Sequence, residues 1–196
     1  MKIVGVLYAT REGHTRRIAE HVAADLRVRG LHPEVENLRE RAAAINLKDY
    51  SGVVLAASVH AGAHEAEMVK FVKAQRAALE AMPAAFLSVT LSEAGAERAD
   101  ATPLEHARFV AEVEQMIGKF FEETGWHAQR VKPVAGALLY TRYNVLLRFL
   151  MKRIARKSGG STDTSRDHIY TDWQALDQFV NEFAEEISEA DAKRVQ

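Results

Sequence analysis

The stretch Val4-Gly-Val-Leu-Tyr-Ala-Thr-Arg-Glu-Gly-His-Thr15 decides how the rest of the chain is read. Ile3 to Tyr8 is an apolar, β-branched run of the kind that forms a buried parallel strand. It breaks into a polar turn, Thr10-Arg11-Glu12-Gly13-His14-Thr15, after which Ile18, Val22 and Leu26 recur at helical spacing. A strand, a hydroxyl-bearing turn and a helix start bring unpaired backbone N–H groups to one point. There the helix dipole favours an anion, and Thr10 and Thr15 add hydrogen-bond donors. The turn therefore reads as a phosphate cradle, although it is neither a G-x-x-x-x-G-K-[ST] loop nor a G-x-G-x-x-G fingerprint.

Outward from this turn the chain alternates strand and helix. Pro33–Leu38 reads as a short edge strand after a Gly30 helix stop, and Gly52–Ala57 as a buried strand running into the turn Ser58-Val-His-Ala-Gly-Ala-His64. A helix over 65–79 follows, with Met68, Phe71, Val72 and Leu79 on one face. Pro83–Thr90 is a fourth strand, emptying into a polar loop of about a dozen residues. Thr102-Pro-Leu-Glu105 has capping-box form, and its helix turns Phe109, Val113, Met116, Ile117 and Phe120 inward. Val131–Leu139 is a fifth strand, whose Pro133 requires a sheet edge. A last helix, entered by the capping box Thr171-Asp-Trp-Gln174, buries Leu176, Phe179, Val180, Phe183 and Ile187. The expected fold is α/β, a doubly wound five-stranded parallel sheet of order 2-1-3-4-5. Turns 10–15, 58–64 and 88–95 then meet in one crevice beyond the carboxyl ends of the strands.

Composition narrows the chemistry. The chain has 196 residues, net charge −1 and no cysteine, which removes disulfides, thiolate catalysis and cysteine-held clusters. One domain is expected over 1–188, with a polar tail over 189–196. No apolar run approaches the roughly 20 residues that span a bilayer. The opening strand leaves no room for a targeting peptide, so a cytoplasmic protein is expected.

An insert over about 140–169 exceeds what a minimal unit needs. Its heart, Tyr140 to Lys157, carries six Lys/Arg and no acid. Leu147, Leu150, Met151 and Ile154 form the expected apolar stripe, with Arg148, Lys152 and Arg156 as a cationic ridge and Arg153 crowding the stripe. Such a helix reads as a membrane-interface element or an amphipathic-substrate contact. The bland alternative is a packed helix with a solvated basic face. A nucleic-acid contact is disfavoured, because no reading motif accompanies the charge.

On the threonine-flanked turn, Ala57-Ser58, Met82-Pro83-Ala84-Ala85-Phe86, Ala135-Gly136-Ala137-Leu138, Tyr140-x-Arg-Tyr143 and Ser158-Gly-Gly-x-Thr-Asp-Thr164, the chain resembles a flavodoxin-like family. That family is the bacterial quinone-dependent protoporphyrinogen IX dehydrogenases of haem biosynthesis. The resemblance covers nearly the whole chain. It implies non-covalent FMN, protoporphyrinogen IX as substrate, a quinone acceptor (menaquinone or ubiquinone) and peripheral attachment to the anionic cytoplasmic face of the inner membrane. It implies hydride transfer to flavin N5 with no protein acid or base.

The residues expected at FMN are Thr10, Arg11, Glu12, Gly13, His14 and Thr15, then Ser58, Val59, His60, Ala61 and Gly62, then Ser88, Val89, Thr90 and Leu91. Arg142, Tyr143, Arg148, Lys152, Arg153 and Arg156 are expected at substrate propionates or membrane. Glu12 departs from the usual threonine and places an anion beside the phosphate. No aromatic sandwich is visible around the flavin ring. A homo-oligomer stays open.

Competing readings are weaker. His60 and His64, with Glu65 beside them, show no third ligand for a metal, and Glu65 and Glu67 are expected only to favour a helix start. Ser58 lacks a nucleophile elbow. Asp163 and Asp172 are expected in turns and caps, Trp126 and Trp173 as packing anchors, and Arg11 at the phosphate. The rival functions are an electron carrier of flavodoxin type and an NAD(P)H:quinone reductase of the same fold.

Overall fold

A computed structural model describes residues 2–157 and 160–194. In chain order the elements are β1 (Ile3–Ala9), α1 (His14–Val28), β2 (His32–Asn37), α2 (Leu38–Arg41), β3 (Gly52–His60), β4 (Ala63–His64), α3 (Ala66–Glu80) and β5 (Ala84–Thr90). There follow α4 (Leu91–Ala96), α5 (Pro103–Thr124), β6 (Arg130–Ala135), β7 (Ala137–Leu138), α6 (Val145–Lys157), β8 (His168–Ile169) and α7 (Trp173–Arg194).

The parallel sheet runs β2-β1-β3-β5-β6. Counting only its five parallel members, this is the expected order 2-1-3-4-5. Both prolines of the sheet sit in its edge strands, Pro33 opposite Val4 and Pro133 opposite Ser88, where a missing N–H costs no internal ladder bond. One face is covered by α1 and α7 through Ile18, Val22, Leu26, Val180, Phe183 and Ile187. The other is covered by α3 and α5, with Phe86 stacked on Phe120 at 4.4 Å and Trp126 beside them. Each such fully buried large side chain contributes about 1.5–3 kcal/mol of transfer free energy. Helix α5 opens with the expected capping box, Thr102 and Glu105 satisfying each other's backbone N–H groups.

Several boundaries differ from expectation. Strand β3 runs on to His60 and folds back through Ala61 and Gly62, both at positive φ (50° and 76°), to pair with β4. That is a two-residue hairpin, not a loop. The expected polar loop after Thr90 begins as α4, capped by Thr90, whose hydroxyl accepts the Ser92 N–H. The expected single strand 131–139 is two. Gly136 separates β6 from β7, donating its N–H to Thr90 O, and β7 leaves the sheet to pair antiparallel with β8. Asp172, not Thr171, caps α7, accepting the Ala175 N–H at 2.9 Å. Helix α7 continues through most of the segment expected as a polar tail. Ser158 and Gly159 of the glycine turn, with Val195 and Gln196, lie outside the described residues.

Helix α6 also turns differently from the expected stripe. Leu147, Met151 and Ala155 pack inward on a small cluster with Leu138, Tyr140 and Tyr143. Leu150 and Ile154 face outward with Val145, Leu146 and Phe149. Asn144 caps the helix by accepting the Leu147 N–H.

Candidate functional site

Gly13 takes φ +92°, open only to glycine at low cost, and so lets β1 turn directly into α1. Its N–H is received by Thr10 Oγ1 at 3.1 Å. The first N–H groups of α1 lie at the same point, beside the buried Thr15. A narrow cleft of about 70 Å³ opens above them. Its walls include Thr10, Glu12, His14, Thr15, Ser58, Val59 and His60. Val89, Thr90 and Leu91 of the expected set line it as well. Gly136, Ala137 and Met151 also line it, and sequence reasoning missed these three. Only the tertiary course of the insert brings Met151 there.

Other expected residues lie elsewhere. Ser88 is fully buried under the sheet, 2.9 Å from His64 Nε2, and does not reach the cleft. Ala61 and Gly62 form the hairpin tip and line a separate groove with Ser92 and Met116. The Arg11 guanidinium is directed to Glu65 (3.1 Å) rather than into the cradle.

Glu65 is the chief omission. Its side chain is 1 % exposed, and it collects Arg11 from the first turn, Ser58 Oγ at 3.2 Å and His60 Nε2 at 3.2 Å. One carboxylate thus ties the ends of β1 and β3 to the start of α3. Its role as more than a helix-start acid has no sequence signature, because the partners are 5 to 54 positions away. With His60 on Glu65 and His64 on Ser88, the histidines are committed to single partners. No group of three or more metal-ligand side chains occurs among the described residues.

His14 is fixed by a chain of donations. Thr171 donates its hydroxyl proton to Ala135 O at 2.7 Å, so at 2.8 Å His14 Nε2 must donate to Thr171. Nδ1 is left as a buried acceptor without a partner. Burial, then the charge of Arg17, lowers the His14 pKa to about 4, so the ring is neutral at physiological pH.

The insert closes on the cradle. Tyr143 donates its hydroxyl to Glu12 Oε2 at 2.8 Å, and Arg142 Nη1 donates to Glu12 O at 3.2 Å. The anion that seemed to oppose phosphate is therefore held by the insert. Arg148 is not part of a free ridge: it donates to Tyr140 O and Tyr143 O at 3.1 and 3.2 Å. Lys152 is half-buried, whereas Arg153 and Arg156 are exposed. Next to the cleft, sharing Glu12 and His60, lies a larger cavity of about 540 Å³ walled also by Arg11, Arg142, Tyr143 and Leu147.

A family model described as flavodoxin domain matches residues 5–165. The protoporphyrinogen IX dehydrogenase [quinone] of Escherichia coli (strain K12) is 35% identical over 91% of this chain and 93% of its own length. The Leishmania major protein of the same name is 34% identical over 91% of this chain and 73% of its own length. The chain belongs to this dehydrogenase family. Among solved structures, a short-chain flavodoxin associated with a non-canonical PDU bacterial microcompartment superposes with a TM-score of 0.52 at 14% identity, covering 95% of this chain and 99% of that one. That likeness carries the fold alone.

Membership of a flavodoxin-domain family brings flavin binding with it, and the residues fit the group. The α1 N-terminus and Thr10 suit a phosphoryl end. The lone pair on His14 Nδ1 is an orphan acceptor of the kind a ribityl hydroxyl would satisfy.

Proposed function

We propose that this chain is an FMN-dependent dehydrogenase that oxidises protoporphyrinogen IX to protoporphyrin IX and passes the electrons to a membrane quinone. The observation that carries this reading beyond a plain electron carrier is the cavity beside the flavin cleft, with the guanidinium groups of Arg11 and Arg142 in its wall and Glu12 held by Tyr143. Arginine forks suit the two propionates of a tetrapyrrole. When bound, FMN supplies two-electron redox chemistry at N5.

The protein's own residues bind and orient. Thr10, Gly13 and Thr15 would hold the phosphate, and His14 would accept from the ribityl chain. Ser58, Val59, Val89, Thr90 and Gly136 would border the ring, for which the described cleft offers no aromatic sandwich. Glu65 keeps the two ring-side turns in register. Met151 and Tyr143 exclude water from the cradle side.

The outer face of α6 would settle on an anionic bilayer. Val145, Leu146, Phe149 and Leu150 are 84%, 80%, 62% and 51% exposed, and Arg153 and Arg156 follow toward the C-terminal end. An apolar first half with a basic second half is suited to lipid tails and headgroups respectively. No helix among the described residues is long and apolar enough to cross a membrane.

The test is anaerobic. FMN-loaded protein should bleach on adding protoporphyrinogen IX and recover colour with a quinone. Bleaching by NADPH but not by protoporphyrinogen would assign the chain to the reductase alternative.

A further inference from the structure

A third cavity, again about 540 Å³, lies between α4, β7, the end of α6 and the start of α7. Leu91 belongs both to its wall and to the wall of the flavin cleft, so the two adjoin at this residue. Leu91, Ala94, Leu138 and Ala155 make much of its lining apolar. Its polar lining residues are Glu97, Asp172, Tyr170 and Arg98. Glu97 stands at its mouth and Asp172 caps α7 behind it. Arg98, its one basic lining residue, is already neutralised by Asp100 at 2.7 Å and Glu105 at 3.5 Å.

We infer that this cavity receives the head group of the quinone acceptor, and that the Glu97 carboxyl delivers a proton to the quinone oxygen. The inference rests on the dehydrogenase reading given above and assigns the second reactant its own place. Charge divides the two cavities of equal size. The cavity with Arg11 and Arg142 in its wall suits a dianionic tetrapyrrole, whereas Glu97 and Asp172, whose charge is only partly offset by Lys132 and the paired Arg98, disfavour propionates and accept a neutral, largely apolar ring. Ala155 lines the cavity from the inner side of α6, the helix whose outer side, with Ile154 exposed on it, is the one proposed to meet the bilayer.

The balance is simple. The quinone takes up two electrons and two protons to become a quinol. The reduced flavin held in the adjoining cleft would supply both electrons and the one proton that its oxidation releases, and Glu97 would supply the second proton. Glu97 then regains its proton from solvent, to which its outer side is open. The groups facing it are Glu93 on its own helix, Asp172 at the α7 cap, Lys132 from β6 and Arg98. Partial burial, followed by the negative charges of Glu93 and Asp172 and opposed by Lys132, raises its pKa to about 7. A carboxyl poised there both gives and regains a proton near neutrality.

Two variants test this, Ala94→Trp to fill the cavity and Glu97→Gln to remove the proton. Photoreduced, FMN-loaded protein is mixed anaerobically with a soluble short-tailed quinone, and flavin reoxidation is followed. Ala94→Trp should raise the half-saturating quinone concentration at least tenfold. Glu97→Gln should lower the limiting rate at least tenfold and abolish its decline above pH 7, and Glu97→Asp should restore part of both. Flavin-free protein should bind the same quinone in equilibrium dialysis, and Ala94→Trp should not. Flavin reduction by protoporphyrinogen should stay within twofold in all variants. Wild-type quinone kinetics in both primary variants would overturn the assignment. So would selective slowing of the protoporphyrinogen half-reaction, which would give the cavity to the tetrapyrrole. Should protoporphyrinogen fail to reduce the wild-type flavin, the dehydrogenase reading falls, while photoreduced protein still tests the cavity.

Discussion

The hydroxyl of Tyr143 meets the carboxylate of Glu12 at 2.8 Å, joining the insert to the turn expected to carry the flavin phosphate. Burial first, then the hydrogen bond and charge of Glu12, raises the Tyr143 pKa, so the hydroxyl remains a donor throughout the physiological range. A hydrogen bond to a charged group is worth about 1.5–3 kcal/mol. Tyr143→Phe should therefore loosen the segment 140–156. Hydrogen exchange of its amides should accelerate about tenfold or more, with the sheet amides unchanged. Equal protection in the variant would mean that the contact does not hold the insert.

Glu65 supports a second expectation. Glu65→Gln keeps the shape but removes the charge that Arg11 and His60 face. Stability should fall by about 1–3 kcal/mol in urea unfolding. FMN affinity should fall with it, because Ser58 and His60 lose their shared anchor. A variant with wild-type affinity would confine Glu65 to a structural role.

Acid should destabilise the fold through two histidines. Burial lowers His64 to about 4, as burial and Arg17 lower His14 to about 4. The unfolded chain protonates both near pH 6.5, while the native rings remain neutral. Their neutral burial is fully tolerated above pH 6.5, and stability is lost as pH falls from there to about 4, by roughly 3 kcal/mol for each ring. Urea titrations at a series of pH values should show this slope. His64→Gln should remove about half of it, and an unchanged slope would exclude His64 as a contributor.

Vesicle binding separates the faces of α6. Lys152→Glu, Arg153→Glu and Arg156→Glu together, or Phe149→Ser with Leu146→Ser, should each weaken co-sedimentation with anionic vesicles at least tenfold while leaving flavin content intact. Arg148→Glu should instead perturb the fold of the insert, because its guanidinium holds two backbone carbonyls. Undiminished sedimentation in the first two variants would remove α6 from the membrane contact.

Much of this molecule was legible from local pattern. Sheet order followed from alternating strands and helices, and the Thr102 cap and the Gly13 turn from residue chemistry alone. What escaped was non-local or ambiguous. Ala61-Gly62 lacks the Asn-Gly signature, so the sequence shows a turn over 58–64 but not the antiparallel strand that follows it. Helix α6 carries apolar residues all round, and its pattern could not say which would pack. Glu65 and Arg148 act on partners that only the folded chain brings near, and the unpaired nitrogen of His14 depends on Thr171, distant by 157 positions.

Arg148 has one more consequence. Because it fastens its own helix to the carbonyls of Tyr140 and Tyr143, α6 is not a loose arm that finds lipid and drags the domain after it. It is an oriented keel. Were it to settle on a bilayer as proposed, the domain would take a single tilt, and the angles of the mouths beside Arg142 and Glu97 to the membrane plane would be set by the fold. Two greasy reactants would then be met by an enzyme already turned toward them.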